Sequence, residues 1–285
     1  ATFNAIDVPT DARRKLELLK LGLTLPAPDQ PGAAQELADI TTRLDSTYSV
    51  GKIEFEARTV PQSETEVLMR QLRDPEKLEE VWTKWHDYAK VMKPDYARMV
   101  EIANEGAEEV GFADVGAMWR AGYDMPPDDF TVEVDRLWGQ VKPLYDDLHC
   151  YVRGALNERY GVDVVPLDEP IRADLLRYMC AQTWGELYND VAPANADSGI
   201  DLNKLLVDDG YDPIKMVKTG EAFFSSLGFE PLPQTFWERS QIVKPEGREV
   251  VCHASAWDVD ARDDLRIKMC TTVGAEDFRT IHHEL

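Results

Sequence analysis

The sequence predicts a mainly α fold with one small β-hairpin near its C-terminus. Over most of the chain, apolar residues recur at spacings of three and four, the period of a helix face. Capping residues next to proline, and a glycine after an apolar run, mark helix ends. A single stretch, "GREVVCHASAWDVDARDDLRIKMCTTV", drops that period and reads as two short strands about a polar turn. There is no internal repeat and no low-complexity linker, so residues 1–285 read as one unit, long enough to bury a real core.

The elements follow in order. Asp11 is placed to cap a helix carrying Leu16, Leu19 and Leu23, which "LPAPDQPG" ends. A second helix carries Leu37, Ile40, Leu44 and Tyr48. The stretch from Gly51 to Ser63 has no helical period and reads as loop or short strands. Asp74-Pro75 starts a helix whose stripe is Leu78, Val81, Trp85, Tyr88 and Met92. The longest helix is expected from Asp129 to Tyr160. Its stripe runs through Phe130, Val134, Leu137, Val141, Leu144, Leu148, Tyr151 and Ala155, and Pro143 should kink it. Another helix is expected from about Ile171 to Val191. "DPIKMVKTGEAFFSSLG" is one more, closed by Gly228, and "FEPLPQTFW" reads as an extended connection.

Composition excludes some functions. A formal net charge of −22 opposes nucleic acid and anionic membrane surfaces, and the acids are dispersed as on a solvated surface. No run of about 18 apolar residues exists to span a membrane. The four cysteines form no C-x-x-C pair, and Cys150 and Cys180 read as buried free thiols within helices.

The other two cysteines flank the hairpin. A turn at "DVDARDD" centred near Ala261 puts Cys252 opposite Cys270, at the ~5 Å of cross-strand neighbours. A disulfide there suggests an oxidising compartment, extracellular or periplasmic. The alternative is two unpaired thiols on a hairpin in a reducing one.

The chain ends "TTVGAEDFRTIHHEL". Gly274 or Thr272 can cap a closing helix, with Glu276 and Asp277 at its positive dipole end. Phe278, Ile281 and Leu285 mark its packed side and His283 another side. His283-Glu284-Leu285 spells the opening of H-E-x-x-H, in which histidines four apart share zinc and the glutamate is the general base. Two other readings stand beside it: an exposed histidine pair favoured at a helix C-terminus, and a likeness to the H-D-E-L retrieval signal.

The surrounding residues carry a resemblance. "TLPAP", "MWRAGY", "PLYDDLHCYVRGAL", "MCAQTWGELYNDV", "FFSSLGFEPLPQTFWERS" and the hairpin with its closing helix occur in order. Together they resemble the angiotensin-converting enzyme family of zinc peptidyl-dipeptidases. The resemblance implies a helical ellipsoid with a long central cleft, the hairpin lying beside the zinc helix. It implies that His283 is a zinc ligand and Glu284 the base. His253 and the backbone of Ala254 would hold an oligopeptide substrate, with His253 donating to a peptide carbonyl. Gln182 would bind the substrate's C-terminal carboxylate, where the other reading is a buried amide joining two helices. Tyr123 matches a tyrosine at a chloride site. The arginine expected after Trp85 for a second chloride is missing, so a chloride requirement stays open.

The remaining zinc ligands would lie after residue 285. The expectation is therefore an N-terminal part of a larger peptidase domain, inactive alone and partnered by its own C-terminal remainder. The alternative is a non-catalytic peptide-binding protein without the zinc-completing half. A carboxypeptidase that releases single residues is a third reading.

Overall fold

A computed structural model describes residues 6–196 and 199–285. It is mainly helical, and its chain divides into two compact units, Ala1–Val191 and Ala192–Leu285.

The first unit opens with α1 (Thr10–Leu21), α2 (Ala33–Ser49), the hairpin β1 (Lys52–Phe55) and β2 (Arg58–Pro61), and α3 (Gln62–Gln71). It continues with α4 (Pro75–Ala89), α5 (Lys93–Glu109), α6 (Val115–Arg120), the long α7 (Pro127–Tyr160) and the single turn α8 (Tyr188–Val191). The Asp74 cap is real: its carboxylate accepts from the N–H groups of Glu76 and Lys77 at 2.9 and 3.4 Å. Leu78, Val81 and Trp85 of the predicted stripe are buried. They join β1, β2 and the C-terminal turns of α7 in one core with Ile53, Phe55, Leu156 and Leu175. The non-helical stretch after Gly51 resolves as the β1–β2 hairpin, paired Lys52 to Pro61 through Phe55 to Arg58.

Three expectations for this unit fail, on the Asp11 cap, the two free cysteines and the helix over 171–191. Asp11 lies inside the first turn of α1, whose cap position is Pro9, and α1 buries none of its residues. The stripe of α7 is not covered. Only Val152 and Leu156 of that helix are buried, while Leu144 is 72% exposed. Helical period thus marked an apolar face correctly but not its contact. Cys150 and Cys180 are free, yet exposed rather than buried.

The helix expected over 171–191 is absent. In its place are 3-10 turns at Ala173–Leu176 and Gly185–Leu187, then α8. Arg177 and Ala181 take left-handed φ values of 56° and 53°, which no helix continues through. Distant partners take the backbone groups that a helix would use. Trp82 Nε1 donates to the Met179 carbonyl at 2.9 Å, and Arg177 Nη1 to that of Glu186 at 3.4 Å.

The second unit contains α9 (Leu202–Asp208), α10 (Pro213–Ser226), α11 (Gln234–Arg239), β3 (Ser255–Asp258), β4 (Leu265–Lys268) and α12 (Ala275–Glu284). Asp212 caps α10 by accepting from the Lys215 N–H at 2.7 Å, and Gly228 ends it at φ 98°. The extended reading of "FEPLPQTFW" holds only to Pro233, after which "QTFWER" forms α11. Met216 and Val217 of α10, Phe236 of α11, Ile267 of β4 and Ile281 of α12 are buried in one core. Helix α12 and the hairpin are therefore fixed to the same apolar cluster.

Candidate functional site

The β3–β4 hairpin is anchored by charge at its turn. Asp260 accepts the N–H groups of Arg262, Asp263 and Asp264 at 3.1, 3.2 and 3.1 Å, closing the loop in which Ala261 is left-handed at φ 56°. Asp264, nearly buried, receives Arg266 Nη2 and Arg239 Nη1, each at 2.7 Å. Hydrogen bonds from Arg266 and then Arg239 hold its carboxyl down at about 2. The Arg239 contact ties the hairpin to α11.

β3 and β4 pair from Ser255–Lys268 to Asp258–Leu265. The strands are shorter than the sequence suggested, and the register runs one residue away from a centre at Ala261. Cys252 and Cys270 therefore lie beyond the ladder, not opposite each other within it. They are nevertheless bonded, with Cα atoms 5.1 Å apart. On its other side β4 meets Gln241–Ile242: Gln241 N–H donates to the Ile267 carbonyl at 2.9 Å, and Met269 N–H to that of Gln241 at 2.7 Å. β4 is thus the central strand. Among the described residues, the outer edge of β3 has no strand partner. Such an edge can accept an extended peptide.

His253 and Ala254 precede β3 on that edge. Ala254 packs against the unit's core, and His253 is exposed. His253 Nδ1 lies 2.8 Å from the Ala254 carbonyl. A carbonyl only accepts, so Nδ1 carries the proton.

Helix α12 presents the motif residues. Phe278, Ile281 and Leu285 pack on the core as the sequence predicts. His283 is exposed and Glu284 half-buried. His282, not singled out by the sequence, turns inward, its Nδ1 2.7 Å from the Phe278 carbonyl and its ring against Phe278 and Phe223. Of the two expected caps, Gly274 holds the position, without a capping side chain, and Thr272 does not. Thr272 instead donates its N–H and hydroxyl to Asp277 at 2.7 and 2.8 Å. The N-terminal amide of Ala275 is taken by Asn203 of α9, Oδ1 at 2.8 Å.

Sequence reasoning also missed Gly220 of α10. A methyl group there would lie 2.7 Å from Leu285 Cδ1 and 3.3 Å from Ile281 Cγ2. Its missing side chain lets α12 approach α10 closely. Neither Asn203 nor Gly220 carries a local signal, since each acts on residues more than 50 positions away.

In the first unit Gln182 is exposed in the irregular segment before Trp184. That removes the reading of a buried amide between two helices. Tyr123 is exposed and stacks on Phe130, ring centroids 4.1 Å apart. Among the described residues, no group of three His, Cys, Asp or Glu side chains gathers as a metal site. His283 is then a single donor, and the described residues do not by themselves fit a catalytic zinc, which needs about three protein ligands.

Comparison with known proteins agrees with the motif series. The family model described as angiotensin-converting enzyme matches residues 2–285. Angiotensin-converting enzyme of Bos taurus is 39% identical over 257 residues, which is 88% of this chain and 20% of that protein. The enzyme of Haematobia irritans exigua is 35% identical over 284 residues, 96% of this chain and 46% of that protein. That of Theromyzon tessulatum is 35% identical over 258 residues, 88% of this chain and 42% of that protein. The chain spans less than half the length of these curated relatives. Over nearly its whole length, this chain belongs to the angiotensin-converting enzyme family of peptidases.

Proposed function

We propose that this chain supplies the N-terminal part of a zinc peptidyl-dipeptidase, which removes dipeptides from the C-termini of oligopeptides. The observation that carries this reading is the adjacent pair His283 and Glu284 at the end of α12, a helix seated on the same core as the bridged hairpin. His283 gives one imidazole to the metal, and the other ligands come from the remainder of the enzyme. Zinc, when bound, supplies Lewis acidity toward water and the peptide carbonyl. Glu284 takes the proton of the attacking water and passes it to the leaving amine. The free edge of β3 aligns the substrate backbone, with His253 and Ala254 at its start. Gln182 donates its amide to the substrate's terminal carboxylate. The Cys252–Cys270 bridge supports an extracellular or periplasmic protein.

The test uses the full-length protein that carries this segment. Mass spectrometry of a digested oligopeptide should show dipeptides leaving its C-terminus. Glu284→Gln should lower kcat about 100-fold or more, the scale of a lost general base, with zinc content retained. Release of single residues, full activity of Glu284→Gln, or full activity after zinc is stripped would each reject the reading.

A further inference from the structure

The segment that presents Gln182 is closed by a buried ionic cluster. Arg177 is 1% exposed and pairs through Nη1 with Asp190 Oδ2, on a side chain only 7% exposed. Asp190 also pairs with Arg159 of α7 and, at 3.8 Å, with Arg73 Nε. Arg177 Nη2 donates to the Tyr160 hydroxyl at 3.2 Å, and Nη1 to the Glu186 carbonyl at 3.4 Å. Three guanidinium groups therefore converge on one carboxylate, and they join α7, the connection after α3 and both ends of the 177–190 loop. Gln182 lies inside that loop, next to Ala181, which is held left-handed at φ 53°. A non-glycine residue keeps that conformation only where its surroundings impose it. Other ties also act on this stretch: Met179 and Leu187 are buried in the core, Trp184 packs against Tyr145 and His149, Trp82 Nε1 donates to the Met179 carbonyl, and the Ala181 N–H donates to the Tyr178 carbonyl at 3.0 Å.

We propose that Asp190 is a positioning residue: with Arg177 it clasps the 177–190 loop and so fixes where Gln182 stands. The proposal rests on the reading of Gln182 as the residue that binds the substrate carboxylate. The physical reason is the cost of an unpaired buried charge. Without the Asp190 carboxylate, Arg177 has no counter-charge in its buried site. The loop opens to bring it water, and Ala181 and Gln182 move with it. Asp190 touches no substrate, so its loss acts on substrate binding rather than on the chemical step.

The experiment compares Asp190→Asn, Asp190→Glu and Gln182→Ala in the full-length protein, on a peptide and its C-terminal amide. Asp190→Asn should raise KM for the free acid about tenfold, leave kcat within about twofold and leave the amide unaffected. Asp190→Glu should restore part of that loss. Hydrogen exchange of amides 178–186 should quicken in Asp190→Asn. A KM shift in Gln182→Ala with none in Asp190→Asn overturns the clasp, as does unchanged exchange. No shift in Gln182→Ala rejects the reading of Gln182, and exchange alone then decides the clasp. Should Asp190→Asn fail to fold, Arg159→Gln, whose guanidinium is partly exposed, gives a milder form of the same shift or overturns the proposal by giving none.

Discussion

Replacing both Cys252 and Cys270 by serine removes the bridge without stranding a thiol, and its effect can be worked out from where the bond lies. The cysteines are 18 residues apart in sequence. Closing a loop of that size in the unfolded chain costs it about 11 cal/mol/K of entropy, or about 3 kcal/mol at 25 °C. The position adds a local effect. The β3–β4 ladder ends at Ser255–Lys268, so no pairing between these strands holds residues 252–254. The bridge joins the segment that carries His253 and Ala254 to the segment that follows β4, beside the packing of Ala254 on the core. The double variant should therefore lose about 3 kcal/mol in urea unfolding. Hydrogen exchange should rise at 252–254 and stay slow at 265–268. Reduction of the unmodified protein should reproduce both changes. A thiol assay on the denatured, unreduced protein checks the premise: two of the four cysteines should react. Four reactive thiols, or an unfolding midpoint that ignores both reductant and mutation, would refute the reasoning.

Two further predictions concern the same unit. Gly220→Ala should change stability by under ~1 kcal/mol: alanine's better helix propensity offsets a crowding that the end of Leu285 can escape by rotating. Gly220→Leu meets the wholly buried Ile281 and should cost ~3 kcal/mol, read from urea midpoints; equal stability of the two variants would count against the close α10–α12 contact. Asp264 gives a pH signature. Its carboxyl is held at about 2, below the ~3.9 of an unfolded aspartate, so its stabilisation is complete above that value and lost as pH falls toward 2. Trp257 fluorescence on β3 should change over that window, and Asp264→Asn should abolish the change.

The sequence disclosed what is written locally. The Asp74 cap, the helix closed by Gly228, the long α7 and the hairpin all have their cause within a few residues of their signal. What it hid depends on distant partners. The segment 171–191 has helical spacing, but the buried Arg177–Asp190 pair and the Trp82 bond to Met179 impose another path. The α7 stripe was visible, yet nothing in a periodic pattern says whether a face is covered. The register of β3 and β4 differed by one residue because the turn is set by Asp260 gathering three amides, a geometry that composition alone leaves open. For the site, three letters of a motif pointed to His283 and Glu284, whereas Gln182 and His253 were legible only through family resemblance.

The aim of His283 depends on contacts of that hidden kind. Successive residues of a helix point about 100° apart, so a rotation of α12 by one position would carry His283 from its exposed direction to the half-buried place of His282 or Glu284. Three restraints from different parts of the chain oppose that rotation. Ile281 is wholly buried in the core shared with β4. Asn203 holds the first amide of the helix, and Asp277 grips Thr272 one turn below. Gly220 lets Leu285 and Ile281 pack close on α10, where a methyl group would lie 2.7 and 3.3 Å from them. A motif names the residues of a site, but their direction is set by a buried isoleucine, a borrowed cap and a missing side chain, none of which belongs to the motif.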